Sequence, residues 1–220
     1  HNIYNEAHTP WSWHEKIIKK CKSLGITCFS TPFDVSAVDF LEKLKVPAYK
    51  IASFEITDFQ LIQRVARTKK PIILSTGMAS KLEIKEALKI IKINGNNKVA
   101  LLKCTSAYPA PYENVNLNTI KDMRKTFKCE VGLSDHTLGI GTSIASIAMG
   151  ATIIEKHFTL DRKKGGIDSS FSIEPAEMKV LVKETLNAWK SLGKIKYGTT
   201  NSEKKSLNYR KSIYIINNKK

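Results

Sequence analysis

The stretch EVGLSDHTLGIGTSIASIAMGATIIEKH, residues 130–157, decides the fold because it contains one complete strand-helix-strand unit. Its apolar runs, 130–133 and 151–157, have the length and composition of buried strands, and the periodic segment between them predicts a helix. His136 stands shortly after the first run, and His157 ends the second. Such runs usually stop at the loops where a parallel sheet displays its chemistry. The two histidines are therefore candidates to bind one metal ion.

The same alternation extends outward through the chain. Further strand candidates are 27–30, 48–52, 71–75 and 99–104, and helix candidates are 12–24, 36–44, 58–68, 80–94, 116–127, 141–149 and 175–192. Ser80 with Glu83 predicts a capping box at one helix start, and Ser12 with Glu15 predicts another. Six strands spaced by 20–32 residues fit either an open doubly wound sheet or a (β/α)8 barrel with about six units present.

Polar residues at the strand ends favour the barrel. They are Thr31, Ser53, Ser75, Thr76, Thr105, Ser106, Ser134, Asp135, His136 and His157. In an open sheet such residues concentrate at one switch point, whereas in a barrel they converge on one mouth. No glycine-rich dinucleotide fingerprint or phosphate-binding loop follows any predicted strand. We therefore expect an α/β fold of the (β/α)8 TIM-barrel type, here incomplete.

Composition indicates a soluble globular chain. Its 220 residues are 42% hydrophobic and 25% charged, which is enough for one large domain with a core. No apolar stretch approaches the roughly 20 residues needed to span a bilayer, and no leader is visible, so we expect a cytoplasmic protein without a membrane partner. The four cysteines lack the close spacing of zinc or redox motifs, which predicts buried, unpaired thiols.

The formal net charge of +16 raises the alternative of a nucleic-acid-binding module. The lysines are spread along amphipathic segments, however, such as Lys81, Lys85, Lys89 and Lys92. This pattern favours solvated helix faces, and we expect no nucleic-acid partner. The alternative module would bind any duplex with a steep dependence on salt concentration.

Eight short motifs together resemble the sialic acid synthase family. In family order they are NEAHTP (5–10), FSTPFD (29–34), YKIASFE (49–55), LSTGM (74–78), KCTSAYPAP (103–111), GLSDHT (132–137), IIEKHFT (153–159) and GID (166–168). The forms EAHTPW and SAYPAP make the resemblance strongest to the pseudaminic acid synthase branch, because neuraminic acid synthases look more like NIYPTP at the second place.

The resemblance implies a phosphoenolpyruvate-dependent condensation with an N-acetylated amino sugar, which releases phosphate and gives a nine-carbon sialic-acid-like product. The expected sugar is 2,4-diacetamido-2,4,6-trideoxy-L-altrose, and the expected product is pseudaminic acid. It further implies a homodimer whose barrel is followed by a small antifreeze-like (SAF) domain. On this basis 1–192 is part of the barrel, 193–208 is a linker and 209–220 begins the second domain, with the first barrel strands and most of the SAF domain absent. N-acetylneuraminate or legionaminate synthase, or an inactive fragment, are the alternatives.

The resemblance also assigns the ligands of phosphoenolpyruvate. They are Lys50 with the hydroxyls of Thr31, Ser53, Ser106 and Ser134. A small anion of high charge needs a cation and several donors without a bulky cage. Independently of the resemblance, a lysine inside the apolar run 48–52 is costly to bury without an anionic partner.

His136 and His157 are expected to hold a divalent ion that polarises the open-chain aldehyde of the sugar. Two histidine ligands do not distinguish between Mn²⁺, Mg²⁺ and Co²⁺. The remaining coordination positions of the ion would be filled by water and substrate. Asp135 and Glu155 stand beside them in sequence and are expected to support the ligands.

Three further residues complete the expected site. Glu55 is expected to handle the proton of the attacking water or of a sugar hydroxyl, because an enclosed carboxylate can be tuned toward neutral pH. By resemblance, Asp168 would hydrogen-bond the sugar and Tyr108 would pack on it or bond to it.

Overall fold

The computed structural model of the protein describes residues 8–210. Its helices are α1 (Trp11–Ser23), α2 (Val35–Lys43), α3 (Phe59–Arg67), α4 (Lys81–Ile93), α5 (Thr119–Phe127), α6 (Gly141–Ala148) and α7 (Pro175–Ser191). Its strands are β1 (Tyr49–Ile51), β2 (Ile72–Ser75), β3 (Val99–Cys104), β4 (Glu130–Asp135) and β5 (Ile154–Lys156). Short 3-10 helices occupy Ser53–Thr57, Tyr112–Asn114, Arg162–Lys164 and Asn201–Tyr209. The predicted second domain at 209–220 lies almost wholly outside the described residues, as do residues 5–7 of the motif at 5–10.

The strands form one parallel five-stranded sheet in the order β1-β2-β3-β4-β5. Each strand therefore pairs with the next strand along the chain. A doubly wound sheet reverses its strand order at a switch point, and this sheet contains no such reversal. Sequential parallel order is that of strands in a barrel wall. The predicted α/β class is confirmed, and the topology is consistent with an incomplete (β/α)8 barrel.

The sixth predicted strand, 27–30, is reduced to one parallel bridge between Ser30 and Tyr49. Continuing that register would place Pro47 on one side of the bridge and Pro32 on the other. Lys50 N donates to Ser30 O, whereas Tyr49 N donates to Pro71 O on the β2 side. Beyond the bridge the next N–H of this ladder would have to come from position 32, and proline has none. The prediction of a full strand at 27–30 is wrong, because pairing is confined to this bridge.

The predicted helix boundaries mostly agree with the structure, and one of the two predicted capping boxes is present. Ser80 and Glu83 form the predicted capping box, in which Ser80 N donates to Glu83 Oε2 at 2.6 Å and Glu83 N to Ser80 Oγ at 3.2 Å. The box predicted for Ser12 and Glu15 is wrong, because α1 follows Pro10 directly and has no side-chain cap. Ser12 already lies inside the helix, where it cannot adopt the conformation of an N-cap.

Alternation along the strands separates two faces of the sheet. One face packs against α2, α3, α4 and α5 and contributes Tyr49, Ile51, Ile72, Leu74, Leu101, Val131 and Leu133 to the hydrophobic core. Because successive side chains point to opposite faces, Lys50, Cys104 and Ser134 lie on the other face, where all three are buried. We call this second surface the inner face.

The remaining compositional expectations concern charge and thiols. The lysines of α1 and α4 are exposed, as expected for solvated helix faces. All four cysteines lie in the described part of the chain and are free, but only Cys104 is buried. Among residues 8–210, no helix is both long and apolar enough to cross a membrane.

Candidate active site

Most of the predicted site residues lie at the carboxyl ends of neighbouring strands. Lys50 belongs to β1 and Ser134 to β4, and His136 and His157 directly follow β4 and β5. Because β4 and β5 pair in parallel register, the two histidines emerge from the sheet at the same level. The sheet thus brings residues distant in sequence to one edge, as the barrel prediction required.

Lys50 is the centre of a buried polar cluster on the inner face. Only 8% of this residue is exposed. Its Nζ lies 3.3 Å from Oε1 of Glu155, and the same oxygen accepts a hydrogen bond of 2.7 Å from Ser134 Oγ. The carboxylate offsets the cost of burying the ammonium. The Glu155 carboxylate thus bonds to two of the predicted phosphoenolpyruvate ligands, and its charge also acts to raise the pKa of both histidines.

Two other predicted hydroxyls converge on Gly77. Ser53 Oγ accepts a hydrogen bond of 3.0 Å from the Gly77 amide. A Cβ added to Gly77 would overlap Ser106 Oγ and would lie 2.8 Å from Ser53 Oγ. A residue without a side chain is therefore what allows both hydroxyls to occupy this position. The motif LSTGM contains Gly77, but sequence reasoning gave it no role.

His136 and His157 form a pair of adjacent rings, with centroids 5.2 Å apart. His136 Nδ1 lies 2.9 Å from the carbonyl oxygen of Thr105. A carbonyl only accepts hydrogen bonds, so Nδ1 donates and Nε2 keeps its lone pair. His157 Nδ1 lies 3.4 Å from Oδ2 of Asp168. Histidines that bind metals usually place their second nitrogen against a carbonyl or a carboxylate, so both rings have the surroundings of metal ligands.

The two histidines have opposite pKa shifts. Burial lowers the pKa of His136, but hydrogen bonds with Cys104 Sγ and with the Thr105 carbonyl outweigh burial and leave this pKa raised. Burial also lowers the pKa of His157, and the positive charge on His136 lowers it further. The lowered pKa favours the neutral imidazole of His157 at neutral pH.

Asp135 does not support the histidines in the way that was expected. Its Oδ1 accepts bonds of 2.9 and 2.8 Å from the amide and the hydroxyl of Thr137. Its Oδ2 accepts bonds of 2.5 Å from Ser143 Oγ and 3.0 Å from Lys156 Nζ. Strand alternation turns residue 135 away from the inner face that carries residues 134 and 136. Asp135 therefore bonds to neither histidine ring.

The residues predicted to bind the sugar lie next to the histidine pair. The ring centroid of Tyr108 is 4.3 Å from that of His136 and 6.0 Å from that of His157. Phe171, which the sequence did not indicate, packs against His157 at 5.0 Å. Tyr108 is 47% exposed, and the Asp168 side chain is 48% exposed. Both therefore border solvent, where a substrate could reach them.

Two buried polar atoms in the described part of the chain lack a hydrogen-bond partner, Glu55 Oε2 and Ser75 Oγ. Burial raises the pKa of Glu55, and the charge of Lys50 only partly opposes this effect. A carboxyl group with a raised pKa suits the predicted proton-transfer role. Ser75 ends β2, so its hydroxyl is a strand-end donor to which sequence reasoning assigned no ligand.

Cys104 is an unforeseen neighbour of the pair. Its Sγ lies 4.0 Å from His136 Nδ1 and 3.8 Å from Ser106 Oγ. Burial raises the pKa of the thiol, but hydrogen bonds with His136 and nearby hydroxyls bring the pKa down to about 7. No spacing motif marks this cysteine, so only the fold reveals its position.

Thr31 occupies a different environment from the other predicted ligands. It lines a cavity of about 510 Å³ beside α1 and α2, together with the aromatic side chains of Trp11, Phe29, Phe33 and Phe40. None of the other predicted site residues lines this cavity. The role of Thr31 as a ligand of phosphoenolpyruvate stays a prediction.

Fold and site together define the class of protein. Sequential parallel βα units, with a buried cation, clustered hydroxyls and paired histidines at the strand ends, are the features of a barrel-type α/β enzyme. The chain belongs to the NeuB family, whose model matches residues 1–197.

Similarity to curated relatives supports this family membership. The N,N'-diacetyllegionaminic acid synthase of Campylobacter jejuni is 43% identical over 203 residues, which cover 91% of this chain and 61% of the relative. The pseudaminic acid synthase of Campylobacter jejuni is 39% identical over 214 residues, which cover 97% of this chain and 62% of the relative. The chain thus spans about half to three-fifths of the length of these curated relatives.

Among solved structures, the chain is similar to the N-acetylneuraminic acid (sialic acid) synthetase of Leptospira borgpetersenii, crystallised in complex with citrate. The TM-score is 0.88 at 35% identity, and the match covers 95% of this chain and 73% of that chain. These homologues are sialic-acid-type synthases, which are enzymes.

Proposed function

We propose that the protein condenses phosphoenolpyruvate with an N-acetylated amino sugar, forming a nine-carbon sialic-acid-like sugar and releasing phosphate. The observation that carries the proposal is the buried cluster of Lys50, Glu155 and Ser134 at the same sheet edge as His136 and His157. It combines a site for a small anion with a site for a metal-bound carbonyl. The similarity to a legionaminic acid synthase and a pseudaminic acid synthase supports the same chemistry.

Phosphoenolpyruvate would be held by one ammonium and several hydroxyls. The ammonium is that of Lys50, and the hydroxyls are those of Thr31, Ser53, Ser106 and Ser134. Hydrogen bonds between charged partners are shorter and stronger than neutral ones, so one buried cation contributes much of the affinity. The hydroxyls of Ser53 and Ser106 occupy the space that a side chain at position 77 would need, so glycine lets both donors lie together at the anion site.

The histidines fit a divalent ion through their Nε2 atoms, since the Thr105 carbonyl and the Asp168 carboxylate face their Nδ1 atoms. Across residues 8–210, no group of three or more His, Cys, Asp or Glu side chains is arranged to hold a metal. Water and a substrate oxygen would fill the other positions, as in catalytic rather than structural sites. An ion such as Mn²⁺, Mg²⁺ or Co²⁺ would supply Lewis-acid polarisation of the sugar aldehyde.

In the reaction, the electron pair of the phosphoenolpyruvate double bond forms a carbon-carbon bond from C3 to the aldehyde carbon. The aldehyde oxygen takes up a proton, and water adds to the cationic C2. Loss of phosphate from C2 then leaves a ketone. Glu55, with its raised pKa, would accept the proton of that water, while Asp168 and Tyr108 would orient the sugar.

The first candidate sugar is 2,4-diacetamido-2,4,6-trideoxy-L-altrose, because EAHTPW and SAYPAP resemble the pseudaminic acid branch. Legionaminate synthesis is the second candidate, since the chain is 43% identical to a legionaminic acid synthase and 39% identical to a pseudaminic acid synthase. N-acetylmannosamine, which would give N-acetylneuraminate, is the third. A homodimer with a SAF domain belongs to the same proposal for the whole protein.

Phosphate release from phosphoenolpyruvate by the 220-residue chain, with Mn²⁺ and each candidate sugar, tests the proposal. Release with the altrose derivative would support pseudaminic acid synthesis, and release with another sugar would move the protein to that branch. At phosphoenolpyruvate concentrations below saturation Lys50→Ala should reduce release, whereas Lys85→Ala on the exposed face of α4 should not change it. Absence of release with every sugar, together with no calorimetric binding of phosphoenolpyruvate, would contradict the proposal.

A further inference from the structure

We infer that the ion pair between Asp135 and Lys156 is a positioning device that fixes the separation of His136 and His157. This inference deepens the proposed function and rests on it for its catalytic meaning. Neither residue points to the inner face, and the sequence indicated no role for Lys156 and no pairing between the two. Both are positioning residues, since they act through the histidines.

The pair occupies the register position directly before the histidines. Asp135 and Lys156 are Cα partners in the parallel pairing of β4 with β5, and each immediately precedes one histidine in the chain. Their side chains meet across the strands with Lys156 Nζ 3.0 Å from Asp135 Oδ2. The bond therefore joins the two strands at the last pair before the imidazoles.

The same two side chains also enclose the backbone of His136. Asp135 Oδ1 accepts from the amide of Thr137, and Lys156 Nζ donates to the Thr137 carbonyl at 2.6 Å. His136 thus lies between Asp135, a member of the pair, and Thr137, whose backbone is bonded to both members of the pair. The carboxylate also accepts from Ser143 on α6, which ties the arrangement to the helix layer.

Burial allows this ion pair to hold the ends of β4 and β5 in one arrangement. The side chains of Lys156 and Asp135 are 2% and 0% exposed, so water does not compete for their bonds. A buried ion pair is often no more stabilising than a hydrophobic pair of similar volume, because desolvation opposes the attraction. Its directional bonds can nevertheless fix one arrangement that apolar contacts would leave free. We therefore assign its main contribution to geometry rather than to stability.

A second bond on the inner face acts at the adjacent register position. Ser134 and Glu155 are also Cα partners, and their side chains are joined by the 2.7 Å hydrogen bond described above. The β4 and β5 ends are consequently joined on both faces of the sheet. A register slip of one residue would turn one histidine to the wrong face, and these two bonds oppose it.

The test uses the double variant Asp135→Asn/Lys156→Met. It removes both cross-strand bonds of Lys156 without leaving an unpaired buried charge, and asparagine keeps an acceptor for Thr137. The readout is the nuclear Overhauser effect between the ring protons of His136 and His157 in metal-free, histidine-labelled protein. Wild type should show this effect because the ring centroids are 5.2 Å apart. The folded double variant should lose most of it.

Mn²⁺ binding, followed by the electron paramagnetic resonance of free Mn²⁺, is the second readout. Changes in residues that orient metal ligands typically reduce metal affinity about 10- to 100-fold, and we expect a reduction in that range. The control is Arg124→Met/Glu130→Gln, which removes an exposed ion pair at the opposite end of β4. It should change neither readout. If the double variant does not fold, Asp135→Asn/Lys156→Gln gives the same comparison with one neutral donor retained and no unpaired buried charge.

The inference would be overturned if the folded double variant showed an Overhauser effect as strong as that of wild type. It would also be overturned if wild type showed no Overhauser effect between the two rings. This readout needs no metal and is separate from the proposed function. If wild type binds no Mn²⁺, or binds it independently of His157, the metal proposal fails while the Overhauser effect still decides the positioning role.

Discussion

Lys50 on β1 and Glu155 on β5 form an ion pair of 3.3 Å although they belong to the first and last strands of the five-stranded sheet. Neighbouring strands lie about 4.8 Å apart, so a flat sheet would separate these two strands by roughly 19 Å. Two side chains cannot bridge that distance with the observed bond. The sheet must therefore curl strongly around the inner face, as a barrel wall does.

Lys50→Ala tests whether this ammonium binds phosphoenolpyruvate. Hydrogen bonds to charged groups contribute about 1.5–3 kcal/mol, so the Michaelis constant for phosphoenolpyruvate should rise roughly 10- to 100-fold. The constant for the sugar should change much less, because the histidine pair lies on other strands. Steady-state kinetics with each substrate varied in turn measures the difference. Equal effects on both constants would indicate a purely structural role for Lys50.

Gly77→Ala tests the space shared by Ser53 and Ser106. The new methyl group would collide with both hydroxyls, and overpacking of this kind costs about 1–3 kcal/mol. For a chain of this size the melting temperature should fall by about 2–12 °C, and phosphoenolpyruvate affinity should fall as well. Gly141→Ala is the matched control, since nothing lies within 4 Å of its added Cβ. Unchanged melting and affinity for Gly77→Ala would show that the hydroxyls move aside freely.

Glu55→Gln should alter the dependence of stability on pH. The pKa of Glu55 is raised in the folded state by burial, so its contribution to stability is fully present below the unfolded pKa near 4.3. That contribution is lost as the pH rises through the folded pKa, when the buried carboxyl must ionise. The variant should therefore gain stability relative to wild type between pH 4 and neutral pH, while losing turnover.

Urea unfolding of both proteins at several pH values measures this difference. Glu86→Gln on the exposed surface of α4 provides the baseline for replacing a glutamate. Parallel stability curves for wild type and Glu55→Gln would contradict the expected shift. They would mean that water reaches the carboxylate in the folded protein.

His157→Ala should abolish metal-dependent turnover and leave the fold intact. Removal of one of two protein ligands should reduce Mn²⁺ affinity by more than the roughly 100-fold expected from a supporting residue. Circular dichroism checks the fold, and titration with Mn²⁺ checks the affinity. His14→Ala is the comparison for metal binding, because that imidazole packs on Phe40 and not on the pair. Full activity of His157→Ala would exclude the metal assignment.

Much of this architecture could be predicted because parallel βα units have strong local signals. Apolar runs located β2 and β3 to within a residue, and glycine and capping residues located α4. The position of the histidine pair followed from two equivalent strand ends. The failure at 27–30 concerns strand pairing, because the missing N–H of Pro32 limits the ladder only once the partner strand and register are known.

The site was less predictable where it depends on curvature or on side-chain direction. The sequence shows that Glu155 is close to His157 along the chain. It does not show that the curl of the sheet also brings Glu155 into contact with Lys50. Asp135 was misassigned because alternation directs it to the helix side. Gly77 and Cys104 act through contacts with distant strands, and no local pattern encodes those contacts.

The sequential pairing of the strands also implies a gradient of amide hydrogen exchange. In the described sheet, β4 pairs with a strand on each side, whereas β5 pairs only with β4, and the residues after β5 meet Ile173 in one isolated bridge. Strands with fewer partners open with smaller free energies, so β5 should exchange sooner than β4. His136 and His157 thus belong to segments that open at different rates, and exchange at β5 would report directly on how often the pair comes apart.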